Sequence, residues 1–442
     1  MAEVRPFRGW RYNTGLAGEL GTLIAPPYDV ISPEQQQRLL ERNPNNVVRV
    51  ELQPALPGDP SGPAGDTARH LRARGTLDQW EAEGILRQDP DPSLYLYEHR
   101  FTYAGEARTR RSLVCAVRLA PWSAGQVIPH EHTLTGPKAE RLGLLRATSA
   151  NTSPVWSLYE DRTGVTAEVL APHWEGEPIE EAVDEDGGTH VLRAVQERAV
   201  VAGITEPFSA RQLFIADGHH RYETALSYAE EDRRARGGAA SGSRALVMMM
   251  LTATDDPGLV VLPTHRVVHS LPQERLAALA RLAEGFGVRE LEPPADVSLL
   301  QRLLDDVLLD EAGEPTGNRF ILAGPEPERL RLLEVRDELR GGQPLHLAGL
   351  DTWQAHAALL DRLLGIDAAS LARQEFLRYT RDAAEAFIAV RDGHGQLAIF
   401  LAHTPVRQLL TVARAGAVMP QKSTYFYPKP ATGMVIRRMP QP

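Results

Sequence analysis

The stretch Phe214-Ile215-Ala216-Asp217-Gly218-His219-His220-Arg221-Tyr222 constrains this chain more than any other. A short apolar run stops at an acid and a glycine, and two histidines and an arginine then open a helical pattern. Ile215 and Ala216 read as the end of a buried strand. From Tyr222, the apolar positions Ala225, Leu226 and Ala229 keep helical spacing, and residues 230–236 are polar. Gly218 permits a tight turn or the close approach of a ligand. The first turn of such a helix offers open backbone N–H groups and a positive dipole end, and Arg221 adds a planar fork. Together they make an anion site, with Asp217 beside it as a base or a magnesium ligand. The same strand-turn-helix is also common where no ligand binds, and adjacent histidines often only cap or pack.

Size and charge bound the alternatives. The chain has 442 residues, 43% of them hydrophobic, enough for two or three domains with large cores. Its 48 basic and 58 acidic side chains give a net charge of −10, so no global basic field favours nucleic acid as a partner. The single cysteine, Cys115, excludes an intrachain disulfide and a multi-cysteine zinc site, and points to a reducing, cytoplasmic setting. Cys115 lies inside a strand pattern and is expected to pack rather than react. No apolar run reaches the ~18 residues of a membrane span, and no secretory leader opens the sequence.

Mixed α and β signals run throughout, which predicts an α/β fold of the α+β mixed kind. Strands are expected at 47–52, 94–103 and 112–119, the last two as an antiparallel hairpin, with a helix over 66–83. Further short strands fall at 247–251 and 259–262, a second hairpin at 319–322 and 330–335, and a polar connection at 233–242. Four regions result: an N-terminal α/β region over 1–110, a core carrying the phosphate site over 111–270, an inserted α/β segment over 271–345, and a C-terminal α/β region over 346–442 that ends in a basic-aromatic tail.

Two more segments carry chemistry. In Val127-Ile128-Pro129-His130-Glu131-His132-Thr133 a strand ends at a proline, and Glu131 between two imidazoles can act as a general base. Downstream, Lys138 and Arg141 at the start of the next helix can reach a phosphate. His130 and His132 can alternatively ligate zinc or iron, which would need a third ligand from elsewhere. The tail Pro420-Gln421-Lys422-Ser423-Thr424-Tyr425-Phe426 strings a lysine, two hydroxyls and backbone amides into a phosphate cradle, without the glycine-rich lead of a Walker loop. Each segment has a plainer alternative, a solvated polar loop for the first and a packed C-terminal arm for the second. Pro263-Thr264-His265-Arg266 reads mainly as an ordinary strand exit, and Asn151-Thr152-Ser153 as a glycosylation-type triplet without meaning in the cytosol.

The segments Pro26-Pro27-Tyr28-Asp29-Val30, Gly136-Pro137-Lys138, Asp217 to Tyr222 and Pro420 to Phe426 resemble a bacterial family known as domain of unknown function 1015, over nearly the whole chain. The resemblance implies a ParB/sulfiredoxin-like core with an added N-terminal region and the inserted segment. Within that superfamily the chain is similar to free serine kinase at Pro129-His130-Glu131, at Asp217 to Arg221, and at Pro420, Lys422 and Thr424. Carried over, Glu131 would take the proton from a substrate hydroxyl and Asp217 would position metal or hydroxyl. Gly218, His219, His220 and Arg221, with Lys138, Lys422, Ser423 and Thr424, would hold nucleotide phosphates. The expectation is a phosphotransferase using Mg²⁺ and ATP or ADP on a small hydroxy or amino-acid substrate, free serine or O-phosphoserine, in either direction. The alternatives are a metal-dependent phosphatase built on His130, His132, His219 and His220, and a ParB-like nucleotide-binding regulator without catalysis.

Overall fold

The computed structural model describes residues 2–131, 135–238, 242–326, 329–340, 343–373 and 375–440. The architecture is mixed α/β, as the sequence predicts. Two compact units form, the first from Met1–Pro129, Thr133–Leu259 and Pro428–Pro442, the second from His130–His132 and Val260–Tyr427.

The first unit is built on a nine-stranded sheet: β1 (Val4–Arg5), β2 (Leu94–Tyr103), β3 (Glu106–Arg118), β4 (Val127–Ile128), β5 (Val155–Tyr159), β6 (Glu180–Val183), β7 (Thr189–Val195), β8 (Leu213–Asp217) and β9 (Leu246–Ala253). The order is β4-β8-β5-β9-β3-β2-β7-β6, with β1 also on β3. The β4–β8 and β5–β9 pairs are parallel and the rest antiparallel. The β2–β3 hairpin turns at Ala104 and Gly105, both at positive φ, the geometry that matches strand twist in a two-residue turn. Leu94, Leu96, Leu113, Cys115, Ile215, Met249 and Leu251 bury one continuous core. Burial pushes the Cys115 thiol well above its ordinary range, which makes it inert.

Four helices matter for the site: α1 (Val48–Glu51), α2 (Pro63–Ala82), α3 (Thr135–Thr148) and α4 (His219–Ala235), with α3 packed on both α2 and α4. The expected strand over 47–52 is thus a helical turn. Asn46 explains the difference: its side-chain oxygen accepts from the Val48 N–H at 2.9 Å, while its amide donates to the Thr22 and Ile24 carbonyls at 2.8 and 3.0 Å. A buried asparagine that caps the turn and ties it to a distant loop overrides the β-branched preference of Val47, Val48 and Val50. The polar connection expected from 233 begins later, because α4 runs on to Ala235; residues 239–241 lie outside the described residues.

The second unit holds β10 (Val260–Leu262), β11 (His265–Val268), β12 (Phe286–Leu291), β13 (Arg319–Ala323), β14 (Leu330–Val335), β15 (Leu377–Thr380), β16 (Leu397–Phe400) and β17 (Tyr425–Tyr427). Six form an antiparallel sheet in the order β12-β14-β13-β16-β11-β15, and β10 pairs with β17. Alternate residues feed two cores: Val268, Phe320, Leu322 and Ile399 on one face, Val267, Ile321, Ala398 and Phe400 on the other. The stretch 271–345 supplies three of these strands. Among the described residues no helix is long and apolar enough to cross a membrane.

Candidate functional site

At the end of β8 the chain turns at Gly218, with φ 93°, directly into α4. A side chain there would be strained, and its Cβ would stand 3.0 Å from the Arg221 guanidinium. Arg221 folds back over the turn and donates to Asp217 Oδ2 and to the Pro154 carbonyl. The other Asp217 oxygen lies 2.7 Å from the Lys429 ammonium, which also pairs with Asp29. Burial alone would raise the Asp217 carboxyl, but Lys429 and Arg221 outweigh it and hold the group well below the usual carboxylate range. Such an acid is a weak base. With both oxygens on cations it does not fit a resident magnesium either. Asp217, expected as base or metal ligand, pairs here with two cations, Arg221 and Lys429. His219 is buried in the first turn of α4 and His220 half-buried beside it.

Arg221 also lines a small polar cavity of about 50 Å³, whose other polar walls are Glu51, Arg141, Asn151, Thr152, Ser153 and Thr224. Arg141, from α3, is almost fully buried, stacks over the Tyr28 ring at 4.0 Å and donates to the Glu51 carbonyl at 2.9 Å. Glu51 accepts from Thr152 and, at 3.3 Å, from Ser153. One guanidinium and two hydroxyls thus meet at the Glu51 carboxylate, while Arg221 and Thr224 line the same cavity. A larger cavity of about 300 Å³ shares the Glu51 and Leu144 walls and is bounded further by His70 and Glu140. Burial would raise Glu140, but the His70 hydrogen bond and Arg141 bring it down to about 2. Lys138 turns elsewhere and pairs with Glu223 of α4 at 3.0 Å. The cation that α3 brings to the cavity is Arg141.

The other two predicted segments meet within the second unit. The Met419 N–H donates to the His130 carbonyl at 2.9 Å, and the Lys422 N–H donates to Glu131 Oε1 at 3.0 Å. His130 Nε2 and Thr424 Oγ1 hydrogen-bond at 2.9 Å, and Ser423, buried, donates to the Pro420 carbonyl at 2.6 Å. Of the expected phosphate cradle, the Lys422 amide and the Thr424 hydroxyl engage the Glu131 loop, the Ser423 hydroxyl stays on Pro420, and the Lys422 side chain is exposed. The same Lys422 residue, at φ 57°, accepts from Arg266 through its carbonyl at 3.3 Å. His132 and Thr133 lie outside the described residues.

Among the described residues, one set has metal-ligand spacing: His99, Asp184 and His190, rather than the histidines of the phosphatase alternative. His99 and His190 face each other across β2 and β7 with ring centres 4.1 Å apart. His190 bonds Asp184 at 2.9 Å and the Tyr97 hydroxyl at 2.6 Å. Arg110 approaches His99 Nδ1 at 3.3 Å, and because arginine only donates, Nδ1 accepts and the proton rests on Nε2. That tautomer and the adjacent guanidinium oppose a cation. The group is a buried hydrogen-bond chain, and the alternation of β2 gave no sign of it in the sequence.

A mixed sheet whose strand end, left-handed glycine and helix start carry clamped cations beside a hydroxyl-lined cavity defines an α/β protein with a polar, arginine-walled corner. The chain belongs to the family described as "Protein of unknown function (DUF1015)", which matches residues 4–355. No curated protein matches it. Among solved structures, a conserved hypothetical protein from Pyrococcus furiosus is similar at 14% identity and a TM-score of 0.33, covering 68% of this chain and 87% of that one. Free serine kinase in complex with AMP is similar at 13% identity and a TM-score of 0.33, over 68% and 83%. SbnI with a C-terminal truncation, from Staphylococcus aureus, follows at 9% identity and a TM-score of 0.32, over 72% and 87%.

Proposed function

We propose that the protein is a cytoplasmic, nucleotide-dependent phosphotransferase with a ParB/sulfiredoxin-like core, acting on a small hydroxy compound of the free serine or O-phosphoserine type. The observation that carries this reading is that Arg141 and Arg221 line one small cavity together with Thr152, Ser153 and Thr224, at the start of α4. Paired forks, hydroxyls and helix-start amides are the groups that meet the charge of a transferring phosphoryl. The motif likeness to the serine kinase at Glu131, Asp217–Arg221 and Lys422 supports the same class.

In this reading Arg221 and Arg141 bind phosphate oxygens, and Asp217 with Lys429 keeps Arg221 aimed. ATP or ADP would bring Mg²⁺ on its own phosphates, because Asp217 offers no open oxygen. By the motif likeness alone, Glu131 would be the base that takes the proton from the attacking hydroxyl as the new O–P bond forms and the bond to the nucleotide breaks. In reverse it returns that proton to the leaving oxygen. Phosphorus NMR of the protein with serine, phosphoserine and a nucleotide panel under Mg²⁺ tests the assignment. New phosphorus signals are expected for one pairing, and absence of transfer with every pairing rejects it.

A further inference from the structure

The second unit buries a charge that the protein itself does not neutralise by contact. Arg266, on β11, is fully buried, and its two terminal nitrogens donate to the backbone carbonyls of Thr264 and Lys422. Its Nε–H has no hydrogen-bond partner. Tyr379 stands directly across the strand pair, its ring centre 5.6 Å from the guanidinium, and its buried hydroxyl is also unpartnered. Each of these two groups loses its water on folding without a replacement, and the pair is a costly arrangement unless something else completes it. Burial lowers Arg266 only to about 10, so it stays charged at neutral pH.

We infer that Arg266 and Tyr379 form a subsite for the carboxylate of a small hydroxy acid or amino acid. Two donors, the Arg266 Nε–H and the Tyr379 hydroxyl, suit two carboxylate oxygens. A single buried cation balances a monoanion and leaves the second charge of a phosphate dianion unpaired. Lys422 ties the arrangement together, with its N–H on Glu131 and its carbonyl on Arg266. The subsite stands on residues of the second unit alone, and only the identity of the bound carboxylate as a phosphoryl acceptor rests on the proposed function.

Calorimetric titration of the full chain, without nucleotide, separates the two. L-Serine and glycolate should bind, and ethanolamine, which keeps the hydroxyl and lacks the carboxylate, should not. Tyr379→Phe deletes a hydroxyl with no protein partner, so it should melt no lower than the parent while weakening both carboxylates about tenfold or more. Equal binding of ethanolamine, preference for inorganic phosphate, no binding of either carboxylate at millimolar concentration, or unchanged affinity in Tyr379→Phe would each overturn the subsite. Arg266→Lys, should it fold, must show the same selectivity loss. Carboxylate binding with no phosphoryl transfer would leave the subsite standing and remove the phosphotransferase.

Discussion

Asp217 and Lys429 form an ion pair at 2.7 Å that fastens the end of β8 to the C-terminal segment of the same unit. Lys429 is almost buried and holds Asp29 as well. Replacing it with methionine leaves two carboxylates without their shared cation, which should cost about 3–5 kcal/mol at pH 7. The folded Asp217 pKa lies below its unfolded value near 4, so its stabilisation is complete above about pH 4 and is lost as pH falls below it. Urea denaturation at pH 7 and at pH 3 should therefore show the parent losing its advantage over Lys429→Met at the lower pH.

Asp351 should behave in the opposite sense. Burial raises its carboxyl to about 7, against an unfolded value near 4. The folded state binds the extra proton, so stability is highest below about pH 4 and declines as pH rises towards 7. Asp351→Asn keeps the shape and removes the charge. It should be the more stable protein at pH 8, by about 4 kcal/mol, and nearly equal to the parent near pH 4. Chemical denaturation across that range checks both the sign and the window.

Arg221→Lys keeps a positive charge but loses the fork that reaches both Asp217 and the Pro154 carbonyl. Nucleotide affinity should fall by ~10-fold or more, by the strength of a charge-assisted hydrogen bond. Arg141→Lys should fall similarly if both guanidiniums serve the same phosphates. Lys138→Ala, which removes only a partner of Glu223, should leave nucleotide affinity unchanged. Calorimetry with ATP and ADP distinguishes the three.

Glu131→Gln preserves an acceptor for the Lys422 amide and removes the basic oxygen. Turnover should drop ~10²–10⁴-fold with nucleotide binding intact. Unchanged turnover would take Glu131 out of the mechanism.

What could be read ahead of the structure follows the range of the interactions. The β8–Gly218–α4 corner and both hairpins were visible because period and turn chemistry are local. The helical turn at Val48–Glu51 was not, because Asn46 enforces it from loops far back in the chain. Arg266 reads as a plain strand exit until its register opposite Tyr379 is known. Thr152 and Ser153 carry a motif that points away from their place beside Glu51, and nothing in the spacing of the tail picks out Lys429 as the cation that Asp217 needs.

Cys115 lies at the centre of the first unit's sheet and is the chain's sole thiol. A disulfide-exchange reagent can reach it only when β3 separates from its neighbours. The unaltered protein thus carries its own one-signal reporter of opening: the rate of labelling, followed with and without a nucleotide or a small carboxylate, reads how far each ligand holds that sheet shut.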